Sequence, residues 1–127
     1  MKRILLIDDD GEVRSCLRTI LEQAGYHVLE AENGKAGIEF FMRFSAELVM
    51  VDIFMPEKEG IETIRELRRE FPELKIMAMS GGIPGCDPDQ YLGIAKKLGA
   101  DRSIEKPFRR DQILAAVGEL LAPMRAS

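Results

Sequence analysis

The sequence predicts an α/β fold, a parallel sheet with helices on both faces. Three observations predict it. The runs Ile4-Leu5-Leu6-Ile7, Leu48-Val49-Met50-Val51 and Ile76-Met77-Ala78-Met79 are continuously apolar, the pattern of strands buried on both sides rather than half-solvated. Segments with helical spacing of apolar residues lie between them. Each run is closed by a polar residue, Asp8, Asp52 or Ser80.

Taken in order, Ile4–Ile7 is the first predicted strand. Val13, Leu17, Ile20, Leu21 and Ala24 recur at helical spacing, with Gly25 as a stop. Tyr26–Ala31 is the second strand, ended by Asn33-Gly34, and Ala36–Phe44 is a short helix. Leu48–Val51 is the third strand. Ile61, Ile64, Leu67 and Arg68 mark a helix that stops before Pro72. Ile76–Met79 is the fourth strand, followed by the loop Gly81-Gly82-Ile83-Pro84-Gly85. Asp87-Pro88 then reads as an N-cap with proline at the first helical position, opening a helix through Tyr91, Ile94, Ala95 and Leu98 to Gly99. A weak fifth strand covers Arg102–Glu105, and Ile113, Leu114, Val117, Leu120 and Leu121 form the last helix. Five βα units in a row leave no linker or repeat; residues 1–122 are expected to be one domain and 123–127 a short tail.

Composition narrows the function. A chain of 127 residues is one ordinary domain, large enough for a core without disulfides or structural metal. It is 46% hydrophobic and 31% charged, with a formal net charge of −4, which speaks against a basic nucleic-acid-binding domain. Two distant cysteines, Cys16 and Cys86, and one histidine, His27, match no zinc pattern. The N-terminal apolar run is too short for a signal peptide, and no segment is long enough to span a bilayer. The expected location is the cytoplasm, without membrane insertion.

Open α/β sheets bind ligands beyond the carboxyl ends of their strands, so the residues at those ends carry the functional argument. Strand one ends in Asp8-Asp9-Asp10, strand three in Asp52, strand four in Ser80, and strand five is followed by Lys106. Carboxylates crowded together resist ionisation. A hard cation relieves this, and Mg²⁺ favours one or two carboxylates with waters and phosphate oxygens. A carboxylate also serves as a nucleophile toward phosphorus. The charge that develops needs the metal, a cation such as Lys106, and donors such as the Ser80 hydroxyl. Singly, each piece has a plainer reading: the aspartate run could cap the first helix, Asp52 could be a turn residue, and Lys106-Pro107 could be surface with a cis bond. Jointly, they are the set needed for Mg²⁺-dependent phosphoryl transfer onto an aspartate.

The run Ile4–Asp10, the stretch Asp52-Ile53-Phe54-Met55-Pro56 with Gly60, Ser80-Gly81 and Lys106-Pro107-Phe108 resemble the receiver domain of bacterial response regulators. The resemblance covers nearly the whole chain. It implies a doubly wound, flavodoxin-like (βα)5 sandwich with a five-stranded parallel sheet of order 2-1-3-4-5. It implies that Asp52 is the phosphoacceptor, that Asp9 binds Mg²⁺ directly and Asp8 mainly through water, and that Asp52 and the Phe54 backbone carbonyl are further ligands. Ser80, the Gly81 N–H and Lys106 would bind the phosphoryl group, with the Lys106 loop fixed by cis Pro107. The donor would be a sensor histidine kinase or a histidine phosphotransfer protein. The chain would be a phosphoacceptor that promotes its own phosphorylation and dephosphorylation, not a conventional enzyme.

Two positions depart from the family pattern. Ser103 stands where many receivers carry the aromatic residue of a rotamer switch, so signalling is expected to run through the loop Gly81–Asp89 and the helix after it. Phe54 borders the path of attacking water, and slow self-dephosphorylation is expected. With no helix-turn-helix segment, a stand-alone receiver without direct DNA binding is expected, signalling to a downstream protein effector through a face that includes Tyr91, Ser103 and Arg109. The alternative is a phosphorelay carrier that passes the group to a second histidine protein. An Mg²⁺-dependent phosphohydrolase would need a cap domain, and Asp8 and Asp10 meet its Asp-x-Asp pattern only formally. A module that folds this way but is never phosphorylated would not need the complete acidic set.

Overall fold

The computed structural model describes residues 2–53, 59–81, 93 and 96–122. In chain order the elements are β1 (Arg3–Ile7), α1 (Gly11–Gln23), β2 (His27–Ala31), α2 (Gly34–Phe44), β3 (Leu48–Asp52), α3 (Glu59–Glu70), β4 (Lys75–Gly81), β5 (Arg102–Lys106) and α4 (Arg110–Leu121). All four pairings are parallel, and the strand order is β2-β1-β3-β4-β5. The chain thus reverses its direction of travel across the sheet between β1 and β3, where ligand crevices form in such folds.

The apolar runs are buried because both faces are covered. Leu5, Ile7, Val49, Val51, Ile76 and Ala78 pack with Phe41 of α2 and Ile64 and Leu67 of α3. Ile4, Leu6, Leu48, Met50, Met77 and Met79 pack with Leu17 and Leu21 of α1 and Ile113 and Val117 of α4. Alternate residues of one strand therefore feed opposite layers, as the period of two requires.

The helices begin two or three residues earlier than apolar spacing predicts, because a first turn is polar and its start is set by capping. Asn33 Oδ1 accepts from the Ala36 N–H at 2.8 Å and opens α2. The second strand starts one residue later than predicted, since Tyr26 still donates to Leu21 O, 3.1 Å away, in the turn leaving α1. The third, fourth and fifth strands run further than predicted, so Asp52, Ser80, Gly81 and Lys106 lie within the ladder. Arg68 of α3 donates to Gly99 O, Leu74 O and Asp101 Oδ2, each at 2.7 Å at the nearest, and ties the chain entering β5 to α3. Residues 93 and 96–98 of the predicted fourth helix are helical. The loop Gly82–Asp89 with Cys86, Tyr91, Phe54 and the tail 123–127 lie outside the described residues.

Gly60 brings α3 onto the end of β3. A methyl group there would stand 2.1 Å from Asp52 O and 2.6 Å from Ile53 Cα, both backbone atoms that cannot step aside. At Gly81 the nearest atom to such a methyl is Lys106 Cδ at 3.9 Å, ordinary contact. Gly60→Ala is expected to destabilise the fold by about 1–3 kcal/mol. Gly81→Ala is expected to stabilise it by about 0.4–1 kcal/mol through the unfolded chain. Urea denaturation midpoints of the two variants check both.

Candidate functional site

The parallel sheet sends every strand end to one edge, and side-chain alternation selects which of them meet. Asp8 continues the face of Ile4 and Leu6, Asp52 that of Leu48 and Met50, and Lys106 that of Ile104, all toward α1 and α4. Lys106 Nζ donates to Asp8 Oδ2 at 2.9 Å and to Asp52 Oδ2 at 3.3 Å. Asp8 is fully buried, and Asp52 is 4% exposed. Buried carboxylates need such partners, since a charge out of water without them costs several kcal/mol.

The three consecutive aspartates divide the work. Asp8 Oδ1 accepts from the Asp10 N–H at 2.9 Å, so both of its oxygens have donors. Asp10 caps α1, accepting from the N–H groups of Glu12 at 2.9 Å and Val13 at 3.4 Å. Asp9 is exposed. Asp8, Asp9 and Asp52 each offer an oxygen within 4.8 Å of the others. Among the described residues one ammonium, that of Lys106, meets these carboxylates, and hard oxygen donors in this number suit a cation such as Mg²⁺.

Ser80 is 1% exposed, and its hydroxyl donates to Gly81 O at 3.4 Å. It follows Met79, the ladder partner of Asp52, which places it beside Asp52 on the neighbouring strand. Gly81 pairs with Lys106 across β4 and β5. The Lys106–Pro107 bond is cis. An open recess of about 480 Å³ adjoins Lys106, lined by Asp10, Val13, Cys16, Gly81, Pro107 and Phe108. His27 lies exposed on β2, where its Nδ1 accepts from Arg3 Nε at 3.2 Å, away from this edge. Ser103 is partly buried on β5, and Arg109 is exposed with its N–H donating to Gln112 Oε1 at 2.9 Å.

Sequence reasoning missed Arg14 and Glu30. Arg14 Nη1 donates to Asp8 O at 2.5 Å, and its Nε to Glu30 Oε1 at 3.1 Å. The available signal was spacing: Arg14 stands three and seven residues before Leu17 and Leu21, on the inward stripe of α1.

Burial by itself would lower the pKa of Lys106, but its hydrogen bond to Asp8 and the charges of Asp52 and Asp8 outweigh that and hold it above the usual lysine value. The ammonium therefore contributes stability in full below the unfolded lysine pKa of about 10.4 and loses it as pH rises through the raised value. Lys106→Met is expected to melt lower than the wild type at pH 7 in chelator. The gap should close in the alkaline range above pH ~10.4. Thermal melts of the pair across pH measure this.

The response regulator receiver domain family matches residues 4–118. The response regulator receiver protein CpdR of Brucella abortus is 44% identical, over 95% of this chain and 98% of its own. The transcriptional regulatory protein CpxR of Klebsiella pneumoniae is 36% identical over 95% of this chain; the chain spans 50% of its length. Among solved structures, the response regulator TrrA of Thermotoga maritima, in complex with Mg²⁺ and BeF, superposes with a TM-score of 0.82 at 30% identity, covering 95% of this chain and 100% of TrrA. The family match runs from β1 through most of α4 and takes in every strand end at the acidic edge, so the chain belongs to the response regulator receiver domain family of two-component systems.

Proposed function

We propose that the chain accepts a phosphoryl group on Asp52 from a partner histidine kinase or histidine phosphotransfer protein and signals by protein contact. The observation that carries this reading is the convergence of Asp8, Asp9, Asp52 and Lys106 at one sheet edge. Asp52 is the acceptor because it ends a central strand and is nearly buried, whereas Asp9 is exposed. Its carboxylate oxygen forms a bond to phosphorus as the phosphorus–nitrogen bond of the donor histidine breaks. The electron pair leaves with the imidazole, which takes up a proton, and Asp52 becomes an acyl phosphate.

Asp8, Asp9 and Asp52, with the Phe54 carbonyl, would hold a Mg²⁺ ion, as the TrrA complex with Mg²⁺ and BeF suggests by relation. Bound there, the ion would offset the carboxylate charge and that on the phosphoryl oxygens. Among the described residues Lys106 supplies a cation at the site. It already bridges Asp8 and Asp52, and it remains an ammonium through neutral pH. In the product it exchanges its Asp52 contact for a phosphoryl oxygen, a charge-assisted bond. Ser80 and Gly81 lie on the neighbouring strand β4, and the Ser80 hydroxyl and Gly81 N–H would supply further donors. Relayed through Ser80, the loop that follows and the face carrying Ser103 and Arg109, the new charge reaches an effector.

Incubation with acetyl phosphate and Mg²⁺ followed by intact mass is expected to show one added phosphoryl group. Asp52→Asn and a chelator should each abolish it. An unmodified mass in folded, Mg²⁺-binding protein would overturn the reading. Asp9→Asn is expected to raise the melting temperature in chelator, by relieving like-charge repulsion, and to erase the further rise that Mg²⁺ produces in the wild type. Phe54→Asn is expected to speed loss of the phosphoryl group, followed by the same mass assay over time.

A further inference from the structure

The exposed ligand candidate Asp9 is bracketed by two carbonyls that one residue holds. The Arg14 backbone N–H donates to Asp10 O at 3.1 Å as the first bond of α1. Its guanidinium donates to Asp8 O at 2.5 Å. Asp8 C=O and Asp9 N–H belong to one planar peptide unit, so the guanidinium that fixes the first also fixes the direction in which the chain enters Asp9. Asp8 and Asp52 have other anchors, in the Asp10 N–H, Lys106 and the β3 ladder.

The guanidinium is itself held. Glu30 Oε1 accepts from Arg14 Nε at 3.1 Å, and Glu30 Oε2 from Arg18 Nη1 at 2.8 Å. Arg18 Nε in turn donates to Glu22 Oε1 at 3.0 Å. Side-chain exposure falls along this chain from 47% at Glu22 through 44% at Arg18 and 25% at Glu30 to 18% at Arg14. Two cations and two anions balance, so the array offers the acidic edge geometry rather than net charge. A planar fork with several donors can hold a carbonyl and a carboxylate together, which an ammonium does less well.

We infer that Arg14, seated by Glu30, is a positioning residue that sets the Asp9 carboxylate for cation binding. This rests on reading Asp8, Asp9 and Asp52 as the cation site. The opposite expectation is equally concrete. If Arg14 acted only as a nearby positive charge, removing it would tighten binding of a divalent cation.

The test compares wild type, Arg14→Met and Arg14→Lys by amide NMR, first in chelator and then through a Mg²⁺ titration. The inference expects the Asp9 and Asp10 amide signals to move in metal-free Arg14→Met and its Mg²⁺ affinity to fall about tenfold, the low end for loss of a partner that orients a ligand. Arg14→Lys should recover part of both. Unchanged or tighter Mg²⁺ binding in Arg14→Met overturns it. So does a lower melting temperature with unmoved Asp9 and Asp10 signals, which would show packing alone. If the wild type itself shows no Mg²⁺ response, the reading of the cation site falls. The metal-free amide signals then decide whether Arg14 holds the turn.

Discussion

The bridge from Lys106 to Asp8 and Asp52 is the contact on which this structure turns. Two carboxylates almost without access to water share one ammonium, and a third, exposed carboxylate stands beside them. Carboxylates this close repel one another, and the ammonium offsets part of that repulsion. The edge is therefore poised for added positive charge, or for a ligand that rearranges the ammonium. A fully neutralised site would have little to gain from either.

The fold's contribution is to bring the members of this set together from far apart in the chain. Lys106 is 98 residues from Asp8 and 54 from Asp52. A parallel sheet delivers all its strand ends to one edge, and the period of two then sorts side chains by face. Asp8, Asp52 and Lys106 share a parity, and Ser80 follows the parity of Ile76 and Ala78 toward the other layer. Its backbone thus lies beside Asp52 on the next strand, while its hydroxyl faces the other layer with the Gly81 carbonyl as a partner. Gly60 contributes in another way, since its missing side chain lets α3 approach the Asp52 carbonyl.

Much of this was legible in the residues. Continuous apolar runs marked the central strands because burial on both faces removes the alternation that solvent would impose. The polar residue after each run marked the edge, because a buried strand meets water or ligand only where it ends. Strand ends were read one or two residues short for the same reason: Asp52, Ser80 and Lys106 are polar, yet remain in the ladder through backbone hydrogen bonds that do not depend on side-chain type. The aspartate run left capping and ligation open. The structure puts Asp10 on the helix as its cap and leaves Asp8 and Asp9 at the edge within reach of Asp52.

By itself, then, the sequence determined the order of the elements, the parallel sheet and the residues that gather at its edge, because periodicity and chain termini of strands are local properties. Tertiary structure decided what each of those residues does to the others. Which aspartate takes Lys106, which caps a helix, and which is bracketed by Arg14 depend on distances of a few ångströms between segments remote in sequence. Electrostatic and hydrogen-bond energies change steeply over such distances. Arg14 and Glu30 show this most plainly: each reads as an ordinary charge in its own segment, and becomes part of the acidic edge only when α1 lies across β2.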